Sequence, residues 1–229
     1  MKGKFYGPFV RIVKKTVRMI TPTYTVEDFK VFDEPVVYIS HHQNMYGPFH
    51  ALLWSPIHIH PWVLHVFSDR KECYKQYSEY TFSERAGMNK TIAKLIAYPL
   101  SFFITSLINS LRSISVNRGS RKIIQTFKES VTVLQKGEDI IIFPDIDYAD
   151  ASSETKALYE GFLLIDKFYY KSTGKHIGFV PLYVSKNKRT LTTCEPIYFQ
   201  DEQDFDQQKS KILEKIKTSL NQMAKDCED

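Results

Sequence analysis

The sequence is poor in several features that would narrow its function at once. It has three cysteines in 229 residues, Cys73, Cys194 and Cys227. They are far apart and odd in number, so neither a disulfide framework nor a metal-ligand spacing follows from them. A reducing compartment is the simplest reading. No Gly-x-Ser-x-Gly elbow occurs, which argues against a serine hydrolase. The first twenty residues contain no acid, and they lack the apolar run and small-residue cleavage site of a signal peptide, so none is expected. Internal repeats, low-complexity linkers and composition breaks are missing too, and a single domain spanning 1–229 is expected. No nucleic-acid motif appears and the basic residues gather at one end, so no nucleic-acid partner is expected.

What is present suits a globular chain. Hydrophobic residues make up 43% and charged residues 25%, close to the average for soluble domains. Aromatics reach 14%, an excess that fits a large core or a membrane interface. The net charge of +5 is uneven: Lys2, Lys4, Arg11, Lys14, Lys15 and Arg18 stand at the start, whereas residues 201–229 hold eight acids against five lysines.

Residues 1–20 read as a basic amphipathic helix, with Phe9, Val13, Val17 and Ile20 on one face. Such a helix suits either an anionic membrane surface or the flank of the domain. Val36–Ser40 reads as a buried strand. The apolar stretch 48–67 contains His50, His58, His60 and His65. No acid or cysteine stands at ligand spacing there, so loop or core histidines are expected and no metal. Leu95–Leu111 is uncharged for 17 residues. It is short and polar-diluted for a span, and reads as a buried or interfacial helix. Strands follow at 114–117, 139–143, 177–184 and 190–199. Helices lie between them: one at 121–135 with Ser120 as N-cap and Gly137 as stop, and one at 157–171. A polar helix closes residues 201–229. Strands alternating with helices predict an α/β fold with a mixed, largely parallel sheet.

Five segments, in order, resemble the lysophosphatidic acid acyltransferase (phospholipid/glycerol acyltransferase) family. In VVYISHHQNMYGPFHALLW, His41 and His42 occupy the places of the family's Asn and catalytic His. Asn44 and Gly47 stand where the family has Ser and Asp, and Pro48 matches. ISVNRGS resembles the strand followed by Arg-Gly and places Arg118 and Gly119. LQKGEDIIIFPDIDY resembles the Phe-Pro-Glu-Gly-Thr-Arg block, with Asp145, Asp147 and Tyr148 in the changed positions. YEGFLLIDKF places Gly161, and IGFVPLYV places Pro181. The resemblance covers roughly residues 30–190. It implies the family's α/β sandwich around a mixed sheet of about seven strands, and an acyl-carrier-protein or coenzyme A thioester as acyl donor. It also implies a lipid acceptor, no cofactor, and a cytoplasmic, peripheral place at the inner face of a membrane.

Acyl transfer to an alcohol needs a base, a partner that fixes the base's tautomer, and donors for the oxyanion. His42 is the expected base, with His41 as the alternative. The partner position is Gly47, which has no side chain, so a replacement carboxylate is sought in Asp145 or Asp147, with Asp69 and Asp150 behind them. Arg118 and Arg121 can hold an anion near a helix start. The second phosphate-binding Arg of the family is replaced by the acids of DIDY, which disfavour a phosphate by like-charge repulsion. A neutral glycolipid hydroxyl or an amine-bearing head group suits that charge better. The rival reading is an inactive family member that binds lipid or acyl carrier protein.

Overall fold

The computed structural model describes residues 5–26, 28–119, 121–201 and 203–229, so Lys2, Lys4 and the expected N-cap Ser120 lie outside it. Along the chain run α1 (Pro8–Ile20), β1 (Val36–Ser40), α2 (Tyr46–Trp54), β2 (Ile59–Leu64), α3 (Arg70–Lys75) and a π-helix (Gln76–Arg85). They are followed by α4 (Lys90–Ser110), β3 (Ile114–Val116), α5 (Ile123–Leu134), β4 (Asp139–Ile142) and a 3₁₀ turn (Glu160–Leu163). The last elements are α6 (Leu164–Thr173), β5 (Gly178–Val184), β6 (Leu191–Thr193) and α7 (Phe205–Asp226). The architecture is α/β with largely parallel strands, as expected. Six strands form among the described residues, where about seven were expected. The segment 190–199 gives only the short β6 and two isolated bridges, Thr190 to Thr25 and Ile197 to Phe179. By its contacts the chain divides into two compact units.

The larger unit comprises residues 18–60 and 127–229. Its strands run β4-β1-β5-β6. β1 lies parallel to β4 (Val37 opposite Ile140) and to β5 (Tyr38 opposite Val180), and β6 is antiparallel to β5. Every residue of β1 and of β5 is buried. Continuous apolar strands of this kind are what a parallel sheet covered on both faces requires. Tyr38, Ile141, Val180 and Leu182 belong to the core. α7, read from sequence as polar, buries Ile212, Ile216, Leu220 and Met223 at the three- and four-residue spacing of one helix face. Gly137 ends α5 at φ 74, a left-handed conformation that glycine adopts without steric cost.

The smaller unit comprises residues up to 17 and 61–126. Trp62 and Leu64 of β2 pair in parallel with Ile114 and Val116 of β3. α4 buries only the small residues Ala93, Ala97 and Ser101, and Leu95 is 75% exposed, with Tyr98 and Phe102 also outward. It is therefore not the buried core helix that was one of its two expected readings. Among the described residues it is the one helix long and apolar enough to cross a membrane, by length and composition. The Arg70 guanidinium lies about 5 Å from the ring centres of both Tyr98 and Phe102. α1 is held to the far end of α4. The Gly7 amide donates to the Ser110 carbonyl at 2.9 Å, and Phe9 meets Phe103 edge-on at 5.5 Å.

Candidate functional site

The C-terminal ends of β1 and β4 meet side by side, because these strands are parallel neighbours. Loops leaving such strand ends are where α/β proteins build their sites. The β1 chain continues as His41-His42-Gln43-Asn44 into α2, and the β4 chain as Phe143-Pro144-Asp145 into a polar loop.

Asp145 joins the two loops. It is 4% exposed, its Oδ1 accepts from His41 Nδ1 at 2.5 Å, and its Oδ2 accepts from the His42 backbone amide at 2.8 Å. The expected replacement carboxylate thus meets both histidines, but its partner ring is His41, and its bond to His42 runs to the main chain. His41 is 2% exposed, and its other nitrogen, Nε2, lies 2.9 Å from the Ser152 carbonyl oxygen. Both nitrogens of the buried His41 ring are thus engaged by protein groups, and the more accessible ring of the two is that of His42.

His42 differs on both counts. Its ring is half-buried, and Nδ1 donates to the carbonyl of Asn44. In a neutral imidazole that bond puts the lone pair on Nε2. Phe143 stands edge-on to the ring with centroids 5.9 Å apart, and Tyr148 lies tilted at 6.1 Å. Gln43 and Asn44 bend the chain through positive φ (44° and 58°), and Asn tolerates that region better than most residues. The Asn44 amide donates to the Asp150 carbonyl at 2.7 Å, a second latch between the loops.

Gly47 has a steric explanation. A Cβ there would lie 2.1 Å from the His41 carbonyl oxygen and 3.0 Å from that of His42, while the Gly47 amide donates to the latter at 3.0 Å. The first turn of α2 presses on the end of β1 so closely that any side chain is excluded. At Gly161 the nearest obstacle to a Cβ is the ring of the exposed Tyr159, at 2.5 Å, a side chain rather than backbone.

The other acids are placed more plainly. Asp147 is exposed and accepts from the Ala149 amide at 3.0 Å, an ordinary loop turn. Lys156, 2.7 Å away, holds the Asp150 carboxyl well below the usual carboxylate range, with help from the Ser152 amide. Asp69 caps α3 by accepting from the Lys71 and Glu72 amides. His60 pairs with Glu138 at 2.9 Å. Arg118, Gly119 and Arg121 are exposed on the turn between β3 and α5, in the smaller unit. Sequence reasoning missed Ser152, whose contribution is a main-chain carbonyl and so leaves no trace in residue type. It also passed over Gln43 and Lys186, taken up below.

No protein-family model matches the chain, and no curated protein matches it. Among solved structures it resembles the 1-acyl-sn-glycerophosphate (LPA) acyltransferase PlsC from Thermotoga maritima, with a TM-score of 0.52 and 10% identity. The match covers 93% of this chain and 79% of that one. At that identity the likeness establishes a shared fold, and the chain has the α/β architecture of that acyltransferase.

Proposed function

We propose that the chain is an O-acyltransferase that moves a fatty acyl group from an acyl-carrier-protein or coenzyme A thioester to a hydroxyl of a lipid-like acceptor, with His42 as the base. The observation that carries this reading is the His42 ring, which is accessible, fixed in tautomer by the Asn44 carbonyl, and anchored at its backbone by a buried His41–Asp145 pair. The His42 Nε2 lone pair takes the acceptor's hydroxyl proton as the oxygen attacks the thioester carbonyl. The tetrahedral intermediate then expels the thiolate, and the proton passes from His42 to sulfur. The Asn44 carbonyl does the orienting work of the family's carboxylate but adds no full negative charge opposite the imidazolium. A lower rate than a charged dyad gives is therefore expected.

We place the protein at the cytoplasmic face of a membrane, peripherally. The exposed Leu95, Tyr98 and Phe102 of α4 support this, as does the basic face of α1. The fold shared with PlsC supports a lipid acceptor. The test is acyl transfer from thioester donors to a lipid extract, wild type against His42→Ala. A base of this kind contributes about 10²–10⁴-fold, so transfer should fall by at least about 10²-fold while unfolding is unchanged. Equal background rates in both proteins would favour the inactive, lipid-binding reading instead.

A further inference from the structure

One buried polar side chain beside the site has no part in the chemistry proposed above. Gln43 follows His42 directly and is 1% exposed. An apolar side chain of that size would fill the same space without the cost of burying an amide. The amide supplies direction instead. Its Nε2 donates to the Val184 carbonyl at 3.2 Å, and the side chain is also hydrogen-bonded to the Tyr183 hydroxyl. That hydroxyl spends its own proton on Asp229 Oδ2 at 3.0 Å. Toward Gln43 it therefore accepts, and the two N–H groups of one amide serve both partners.

The anchor is itself fixed. Asp229 Oδ2 also accepts from the Lys186 amide at 3.0 Å, and Oδ1 from the Asn187 amide at 2.7 Å, which sets the turn leaving β5. The Lys186 ammonium donates to the Ala151 carbonyl at 2.7 Å, an exposed tie to the loop after β4. The segment that Gln43 anchors is strained. Gln43 and Asn44 take φ of 44° and 58° in succession. A residue other than glycine, and glutamine more than asparagine, holds such an angle only where its surroundings impose it. The Asn44 amide is latched to the Asp150 carbonyl at 2.7 Å, and the Gln43 side chain ties the same bend to β5. The bend is what carries the Asn44 carbonyl to His42 Nδ1.

We infer that Gln43 is a positioning residue for His42: its buried amide holds the left-handed bend that sets the Asn44 carbonyl against His42 Nδ1, and so keeps the basic lone pair on Nε2. Which imidazole nitrogen carries the proton is decided by the hydrogen bond that the other atoms of the site offer it. A free histidine side chain prefers its proton on Nε2, so the ring needs an acceptor held at Nδ1 to stay in the other form. Loosening the bend withdraws that acceptor and turns the lone pair to Nδ1, on the ring edge that faces Asn44. Calling this hold catalytic rests on the acyltransferase reading above; the hold on the ring does not.

The test is ¹⁵N NMR of the seven histidine rings in the full chain, with the His42 signals assigned by their loss in His42→Ala and acyl transfer measured in parallel. In wild type, His42 should show the Nδ1–H form as its main neutral tautomer. Gln43→Met keeps the length and bulk of the side chain but has no N–H to give. It should move the tautomer ratio toward Nε2–H by about fivefold, the worth of one neutral hydrogen bond. It should lower kcat by a similar factor with KM unchanged, the pattern of a group that acts on the base rather than on substrate binding. Tyr183→Phe, which leaves Gln43 and its bond to Val184 in place, should shift the ratio the same way by less, and it carries the test if Gln43→Met does not fold. Lys186→Met cuts the exposed tie and Ile216→Val removes a core methyl of α7; both should leave the ratio alone. The inference is overturned if wild-type His42 is not Nδ1–H, if Gln43→Met leaves the ratio unchanged, or if either control shifts it as far. A shifted tautomer with acyl transfer indifferent to His42→Ala would keep Gln43's hold on the ring and sink the acyltransferase reading. Transfer that depends on His42 with an unmoved tautomer would do the reverse.

Discussion

The buried His41–Asp145 pair carries the most direct prediction. Asp145→Asn keeps the shape of the side chain and removes its charge. In the native protein two donors, His41 Nδ1–H and the His42 amide, share the two carboxylate oxygens. The asparagine amide has one oxygen and one NH₂, so it can serve both the His42 amide and His41 Nδ1 only if the His41 proton moves to Nε2, and it brings no charge to either bond. Hydrogen bonds to a charged group contribute about 1.5–3 kcal/mol each, roughly twice a neutral one. We expect a loss of about 3 kcal/mol, a large share of the 5–15 kcal/mol typical of a domain. Urea unfolding reads it directly. With a slope of about 3 kcal/mol per molar, the midpoint falls by about 1 M while the slope is unchanged. His41→Asn should cost a similar amount, and the double variant should cost clearly less than the sum, because the two residues share one interaction. A loss below about 1 kcal/mol for Asp145→Asn, or simple additivity in the double variant, would refute the claim that this pair holds the two loops together.

Three further outcomes follow from the same structure. Gly47→Ala should destabilise by about 1–3 kcal/mol, because its Cβ would overlap the His41 carbonyl; Gly47→Asp should fail to accumulate as folded protein, and a soluble variant of native stability would contradict the packing described. Burial pushes the Asp139 carboxyl up to about 6, above the roughly 3.9 of an unfolded chain. Its folded-state preference for the proton therefore stabilises fully below about pH 4 and is lost as pH rises through 6, and Asp139→Asn should flatten that window by about 2–3 kcal/mol in pH-dependent unfolding. Paired Leu95→Asp and Phe102→Asp changes on α4 should abolish flotation with anionic vesicles, whereas high salt should weaken wild-type binding, each basic residue near the surface counting for about 1 kcal/mol; variants that float like wild type would remove α4 from the membrane contact.

Most of the fold was legible in the residues, and the exceptions have physical causes. β1, β4 and β5 announce themselves as β-branched runs bounded by Pro, Gly or charge, since a strand buried on both faces has little room for polar residues. β2 was hidden by Pro61, which cannot donate to a ladder and ordinarily argues against a strand. The pairing with β3 begins at Trp62, just past it. α7 was read as polar because its apolar residues are spread thinly at three- and four-residue spacing through a run of lysines and acids. The stripe Ile212, Ile216, Leu220 becomes evident only once a sheet is there to receive it. The expected strand over 190–199 is interrupted after Thr193, around Pro196, which has no amide to donate, and the chain pairs again with β5 at Ile197, which exchanges hydrogen bonds with Phe179.

The site was legible in its residues but not in its pairings. The motif spacing singled out His42, and the gain of acids in DIDY singled out Asp145, yet spacing alone cannot tell which of two adjacent histidines a carboxylate will face. In an extended chain, successive side chains point to opposite sides. A carboxylate arriving from the neighbouring strand therefore meets only one of the two rings, and here it meets His41, buried beneath the Ser152 carbonyl, while His42 turns the other way toward Phe143 and Tyr148. The loss of a side chain at 47 and the presence of the buried pair are then linked. With α2 pressed against the His41 carbonyl there is no space for an acid at 47. The carboxylate at 145 instead fixes the His42 backbone, and the carbonyl of Asn44, bent through positive φ, fixes the ring. The orienting task is thus divided between a buried acid that acts on the main chain and a main-chain carbonyl that acts on the imidazole, and neither can be recognised by searching the sequence for a second acid at the motif's usual distance.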